Sequence, residues 1–224
     1  MPSFLFPFAT EDEMINHIIT DQNYYTLNGI KVEFYFDEES NECILEMAEG
    51  HADTLFIPNT INGKPVTFIE FADWRAGGFD RVIVSENNSY FQTIDGVLFT
   101  ADKKELLIYP PQKKDEVYVI PDGVEIIGED TFCSNHYIKT LVFPKGFRLI
   151  VQYALACCKS LETVYLPQSL EKVLLKAFYF TEPMKHVYFD GSEQQWHTIN
   201  FTDCNWSLTD AEIHFHHDYH KLKF

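Results

Sequence analysis

The sequence predicts a short α/β repeat solenoid, with stacked parallel β-strands, short turns or helices between them, and capping segments at both ends. Three observations carry that prediction. First, Pro121–Phe143, Pro144–Leu166 and Pro167–Phe189 align without a gap as consecutive segments of 23 residues. Second, seven columns keep apolar or small character in every row, among them Val124/Phe147/Leu170, Ile127/Ile150/Val173, Thr131/Ala154/Ala177 and Phe132/Leu155/Phe178. The others are Ile138/Leu161/Met184, Leu141/Val164/Val187 and Phe143/Leu166/Phe189. Third, Leu141-Val142-Phe143, Val164-Tyr165-Leu166 and Val187-Tyr188-Phe189 alternate with a period of two, which is the pattern of a strand with its outer residues facing inward. One such coil cannot bury its own apolar edge, but stacked coils share a continuous core.

The elements follow in chain order. Residues 1–54 read as an N-terminal cap. Thr10-Glu11-Asp12-Glu13 has capping-box spacing and starts a short helix to about Ile19. Tyr24–Leu27, Lys31–Phe36 and Cys43–Met47 read as strands, with Asn28-Gly29 a hairpin turn. Residues 55–190 read as the solenoid. An earlier repeat copy runs from Ile57-Pro58 through Val66, Ile69, Trp74, Phe79, Val82 and Val84, with an inserted Asn62-Gly63-Lys64-Pro65 turn. A hairpin insertion near 93–110 turns around Ala101-Asp102-Lys103-Lys104. Within each later coil, Thr131-Phe132, Ala154-Leu155 and Ala177-Phe178 mark a short helical or irregular turn. Asn135, Cys158 and Thr181 stand three residues after each large residue, placed to bond loop backbone that would otherwise be buried unpaired. Residues 191–224 read as a C-terminal cap, with Ser192–Ile199 helical and Ala211–Phe215 a last strand.

The coil sequence Ile-Pro-x-x-Val-x-x-Ile, then a small residue and Phe, then Asn or Cys, then Leu-x-Phe-Pro, stands here from Ile120-Pro121 to Pro144 and again to Pro167. In these motifs the chain resembles the BspA-like, or Treponema-type, leucine-rich repeat family. Ile94-Asp95-Gly96-Val97-Leu98-Phe99 with Leu106–Pro110 also resembles it, as does Val187-Tyr188-Phe189-Asp190-Gly191 with Gln195-Trp196. The likeness covers roughly Leu55 to Phe215, and departs from the proline column at Asp190. It implies a curved solenoid and, in secreted surface proteins, binding to proteins or extracellular matrix.

Composition narrows the function further. The 224 residues carry 17 Lys and Arg against 34 Asp and Glu, a formal net charge of −17, while 46% are hydrophobic. Such a chain buries a sizeable core but repels polyanions, so neither nucleic acid nor an anionic membrane surface is expected as a partner. No stretch approaches the ~18 apolar residues of a bilayer span. Met1–Ala9 is apolar but short, lacks a leading Lys or Arg and runs into Glu11-Asp12-Glu13, so the reading is cytoplasmic; the alternative is a secreted or cell-surface protein. Five cysteines at irregular spacing read as buried free thiols.

The main candidate site is the outward face of the parallel sheet: Val119, Val142, Tyr165 and Tyr188 in one column, with Thr140, Thr163 and His186 two positions earlier. Aromatic and β-branched groups stacked at one strand spacing, ~4.8 Å, form a strip suited to a protein partner. High strand propensity of Val, Thr and Tyr is the plainer explanation of the same column. The expected function is therefore a non-catalytic protein-interaction module, with a BspA-type cell-surface adhesin as the alternative. The expected partner is a neutral or basic protein. No catalytic residue, cofactor or metal is assigned. His214, His216, His217 and His220 read as a solvated tail rather than a Zn or Ni site. Cys157-Cys158 with His136 read as packing thiols rather than a nucleophile. Asn87-Asn88-Ser89, Asn200-Phe201-Thr202 and Asn205-Trp206-Ser207 match glycosylation acceptors.

Overall fold

The computed structural model describes residues 23–27, 29–70, 77–86, 88–182 and 184–223. The helix expected at Thr10–Ile19 and the repeat residue Trp74 lie outside them. Strands β1 (Tyr24–Leu27), β2 (Ile30–Asp37) and β3 (Glu42–His51) form an antiparallel meander. The loop before Ile30 needs Gly29 at φ +94°, a conformation costly for other residues. Gly50 faces that loop because any Cβ there would strike the Gly29 carbonyl.

The earlier repeat copy contributes β4 (Thr54–Ile57), β5 (Thr60–Ile61), β6 (Lys64–Ile69), β7 (Gly77–Gly78) and β8 (Arg81–Val84). Strands β4 and β8 pair in parallel, and β6 joins β3. Tyr25, Ile30, Val32, Phe34 and Leu45 share one core with Leu55, Ile57, Val66, Phe79 and Val82. The insertion follows as β9 (Phe91–Ile94), β10 (Val97–Thr100) and β11 (Glu105–Ile108), two consecutive hairpins. Val97, Phe99 and Leu106 turn toward the next core, whereas their strand neighbours Leu98 and Leu107 turn back to the first. Opposite faces of one hairpin thus seal both cores, as strand alternation requires.

The repeats proper comprise β12 (Val117–Val119), β13 (Ile126–Ile127), β14 (Thr140–Val142), β15 (Leu149–Ile150), β16 (Thr163–Leu166), β17 (Lys172–Val173) and β18 (His186–Phe189). They are followed by helix α1 (Glu193–Trp196), β19 (Asn200–Phe201), helix α2 (Trp206–Thr209) and β20 (Glu212–His214). The architecture is a β-solenoid of about seven turns, with stacked parallel strands and few helices. One parallel sheet runs β12-β14-β16-β18-β20; on the second, β13-β15-β17-β19 extends from β11. Leu141 stands against Val164 and Val164 against Val187, so the sequence alignment is also the hydrogen-bonding register. Phe132, Leu155 and Phe178 are buried between the sheets.

The coil corners are turns rather than helices. Asp130, Tyr153 and Lys176 repeat a left-handed conformation, as do Ser134, Cys157 and Phe180, with φ between 52° and 62°. Left-handed residues at both ends of a turn stop a right-handed helix from propagating. The small polar column does what its position suggested. Asn135 accepts from the backbone N–H groups of Tyr137 and Ile138 at 3.0 and 2.9 Å and donates to the Lys113 carbonyl. The Cys158 thiol donates to the Phe132 carbonyl at 3.0 Å, and the Thr181 hydroxyl donates to the Leu155 carbonyl at 2.6 Å.

A further coil follows Asp190. Glu212 pairs with His186, 26 residues earlier, and β19 pairs with β17. The coil is longer than 23 residues because α1, closed by a reciprocal Ser192–Gln195 capping box, occupies its corner. Trp196 fills the space behind Phe189 with an edge-on ring contact at 5.3 Å. Among the described residues, no helix is long and apolar enough to cross a membrane.

Candidate functional site: the outer face of the five-stranded sheet

Strand alternation buries Leu141, Val164 and Val187 and sends their neighbours to the opposite side of the sheet. Two outward columns result. One runs Val117–Thr140–Thr163–His186–Glu212, and the other runs Val119–Val142–Tyr165–Tyr188–His214. All seven residues expected on this face lie in these columns. In the second column the rings form a ladder. Tyr165 and Tyr188 stack at 4.7 Å and 13°, and Tyr188 and His214 stack at 4.6 Å and 18°. These are favourable offset separations for aromatic pairs.

The chain's own C-terminal segment lies across this ladder. His216 and His217 donate backbone N–H groups to the Gly191 and Phe189 carbonyls at 2.9 and 3.2 Å. The segment then turns through a 3-10 helix at Tyr219–Lys221. The His217 ring packs on Tyr188 at 4.6 Å, and Tyr219 packs on Tyr165 at 5.3 Å. Tyr219 is fully buried and donates its hydroxyl to the Phe143 carbonyl at 2.9 Å. Burial raises the Tyr219 phenol well above its ordinary pKa, so it remains a donor at any physiological pH. The same cover changes two expectations. Val142, expected outward and open, is 4% exposed, whereas Val119 at the uncovered end is 47% exposed. The histidine tail is not a solvated end: His214, His217 and His220 are half-buried, and only His216 is exposed. Neither Tyr219 nor Glu212 was singled out in the sequence. Glu212 lies in a column that the alignment could have extended, but nothing near Tyr219 announces a partner 76 residues away.

Residues 114–219 match the profile described as BspA type Leucine rich repeat region, in six copies. Over these residues the chain is built of BspA-type leucine-rich repeats. No curated relative matches the sequence. Among solved structures, the Pneumococcal vaccine antigen PcpA aligns at 20% identity and a TM-score of 0.44, over 74% of this chain and 55% of that one. A leucine-rich cell surface protein from Faecalibacterium prausnitzii A2-165 aligns at 20% identity and 0.44, over 66% and 50%. A leucine-rich repeat protein from Eubacterium ventriosum aligns at 18% and 0.40, over 61% and 50%. The chain spans about half the length of these structures.

Other side chains of the BspA-type coils carry less chemistry. Cys158 is buried, and burial raises its thiol pKa, the wrong direction for a nucleophile; His136 is exposed. Asn205, one of the glycosylation-acceptor matches, is buried and donates to the Leu174 and Thr202 carbonyls at 2.9 Å, which closes it to a glycosyltransferase. On the second sheet, Lys104, Glu125, Arg148 and Glu171 form a charged ladder with separations of 2.9, 4.0 and 2.8 Å. That ladder edges a shallow groove over Ile126 and Leu149. Its pairs are exposed and satisfied by one another, so they offer a partner little unspent charge.

Proposed function

We propose that the chain is a non-catalytic module for protein–protein interaction, working through the outer face of its five-stranded parallel sheet. The observation supporting this most directly is the half-exposed ladder Tyr165–Tyr188–His214, flanked by Thr140, Thr163 and His186 and open at Val117 and Val119. Rings held by neighbouring strands lose little entropy on binding, and their polar edges can hydrogen-bond. Val142, at 4% exposed, contributes to this surface as support from beneath rather than by direct contact. With a net charge of −17, a neutral or basic protein partner is favoured in approach.

The test is calorimetry with a partner first identified by photo-crosslinking from position 163. Tyr165→Ala and Tyr188→Ala should each weaken it roughly 30-fold, the effect of an interface hot spot. Glu125→Ala, on the other sheet, should leave it unchanged. Loss with Glu125→Ala and full binding by both tyrosine variants would refute the reading. The BspA-type match favours a second reading, a cell-surface adhesin for host or matrix proteins. Fractionation of the native cells separates the two, since finding the whole pool in the cytosol removes the adhesin.

A further inference from the structure

Where the two outward columns meet the last strand, three potential metal ligands converge. His186 Nδ1 lies 3.1 Å from His214 Nε2 and 3.3 Å from a Glu212 carboxylate oxygen. His214 Nε2 lies 3.8 Å from the other oxygen of Glu212. The convergence follows from the ladder. Glu212 is directly opposite His186, and His214 is two residues on, hence on the same face. Tyr188 then fixes the His214 ring plane by stacking on it, so that Nε2 points at its neighbour. The three groups can each offer one ligand atom to a common ion.

From this arrangement we propose that His186, Glu212 and His214 form a zinc-class metal site that clamps the terminal coil to the sheet. Bonds of 2.0–2.2 Å in tetrahedral geometry separate ligand atoms by about 3.3–3.6 Å, and the observed separations bracket that range. Two neutral imidazoles and a carboxylate are a usual zinc set with a fourth position open. That position faces solvent, because Glu212 is exposed and both histidines are only half-buried. The ion would replace the shared proton of the imidazole pair and tie β20 to β18 through side chains as well as backbone. This proposal does not depend on the protein-interaction reading.

The experiment is a titration of the untagged full-length chain with Zn²⁺, by calorimetry and by thermal melting. One equivalent should bind, and zinc at 100 times its dissociation constant should raise the midpoint by about 5–10 °C. His186→Ala, His214→Ala and Glu212→Gln should each weaken binding at least tenfold. Glu212→Gln changes an exposed group and keeps the fold, so it tests the ligand role even if a histidine variant unfolds. A combined His216→Ala, His217→Ala, His220→Ala variant should keep the site. No binding tighter than about 100 µM would overturn the proposal. So would binding that survives Glu212→Gln and His214→Ala but is lost in the combined variant.

Discussion

Asn135 serves backbone on both sides of itself. Its carbonyl oxygen takes two N–H groups of its own coil, and its amide reaches the preceding segment at Lys113. Asn135 itself is buried, and so is its bond to the Ile138 N–H, so deleting the side chain leaves that donor without a partner and weakens two part-buried contacts beside it. Asn135→Ala should cost about 3 kcal/mol in urea unfolding, and Cys158→Ala, which loses one weak thiol donor, about 1 kcal/mol. Equal, near-zero losses would show that the column is dispensable. The thiols make a second residue-scale prediction. Burial pushes the Cys43 thiol up to about 12 and raises that of Cys158, while Cys204 is exposed. At pH 8 the thiolate fraction of Cys43 is on the order of 10⁻⁴, so iodoacetamide should label Cys204 in the native protein and reach Cys43 and Cys158 only on unfolding. Peptide mapping by mass spectrometry reads the order directly. The buried polar column was legible from the repeat, because columns that superpose in sequence superpose in space; of the five cysteines expected to be buried, Cys157 is half-buried and Cys204 exposed. The carbonyl each group would meet was not legible, since it belongs to a different coil.

At the scale of elements, the strands and their facing were readable and the corners only partly so. A period of two identifies β14, β16 and β18 because alternate residues must face opposite sides of a sheet. The sequence allowed either a helix or an irregular turn at Phe132, Leu155 and Phe178, and two left-handed residues per corner decide for the turn. The C-terminal segment was the element least legible in advance. Its attachment is concentrated in Tyr219, with one buried hydroxyl bond and a ring contact to Tyr165. Tyr219→Phe should cost about 1 kcal/mol, and Tyr219→Ala about 3–5 kcal/mol. In Tyr219→Ala, hydrogen exchange should also speed up at His216 and His217, whose amides hold the segment to Gly191 and Phe189. Unchanged exchange would mean that Tyr219 does not anchor the cover.

At the scale of the molecule, charge works against compactness. Ion pairs such as Lys139–Glu116, Lys185–Glu162 and Arg148–Glu171 run along the stack, but they are exposed and individually weak. The excess of 17 negative charges repels itself over the whole surface. Raising NaCl from ~10 to ~200 mM shortens the screening length from about 30 Å to below 10 Å, which screens the diffuse repulsion more than the contact pairs. The melting temperature should therefore rise with salt. A fall would show that the ladders outweigh the net charge.

Coil length, the inward columns and the register of the stack were settled by the sequence alone, because equal coils sharing one apolar edge can bury it only by stacking in phase. The joint core of the first strands with the earlier repeat copy, the cover over Val142 and the meeting of His186 with Glu212 and His214 were decided by tertiary structure. Those features depend on contacts between segments whose local patterns carry no mark of one another. A periodic pattern specifies the side of a strand that faces in, whereas what lies against its outer side depends on where the rest of the chain comes to rest.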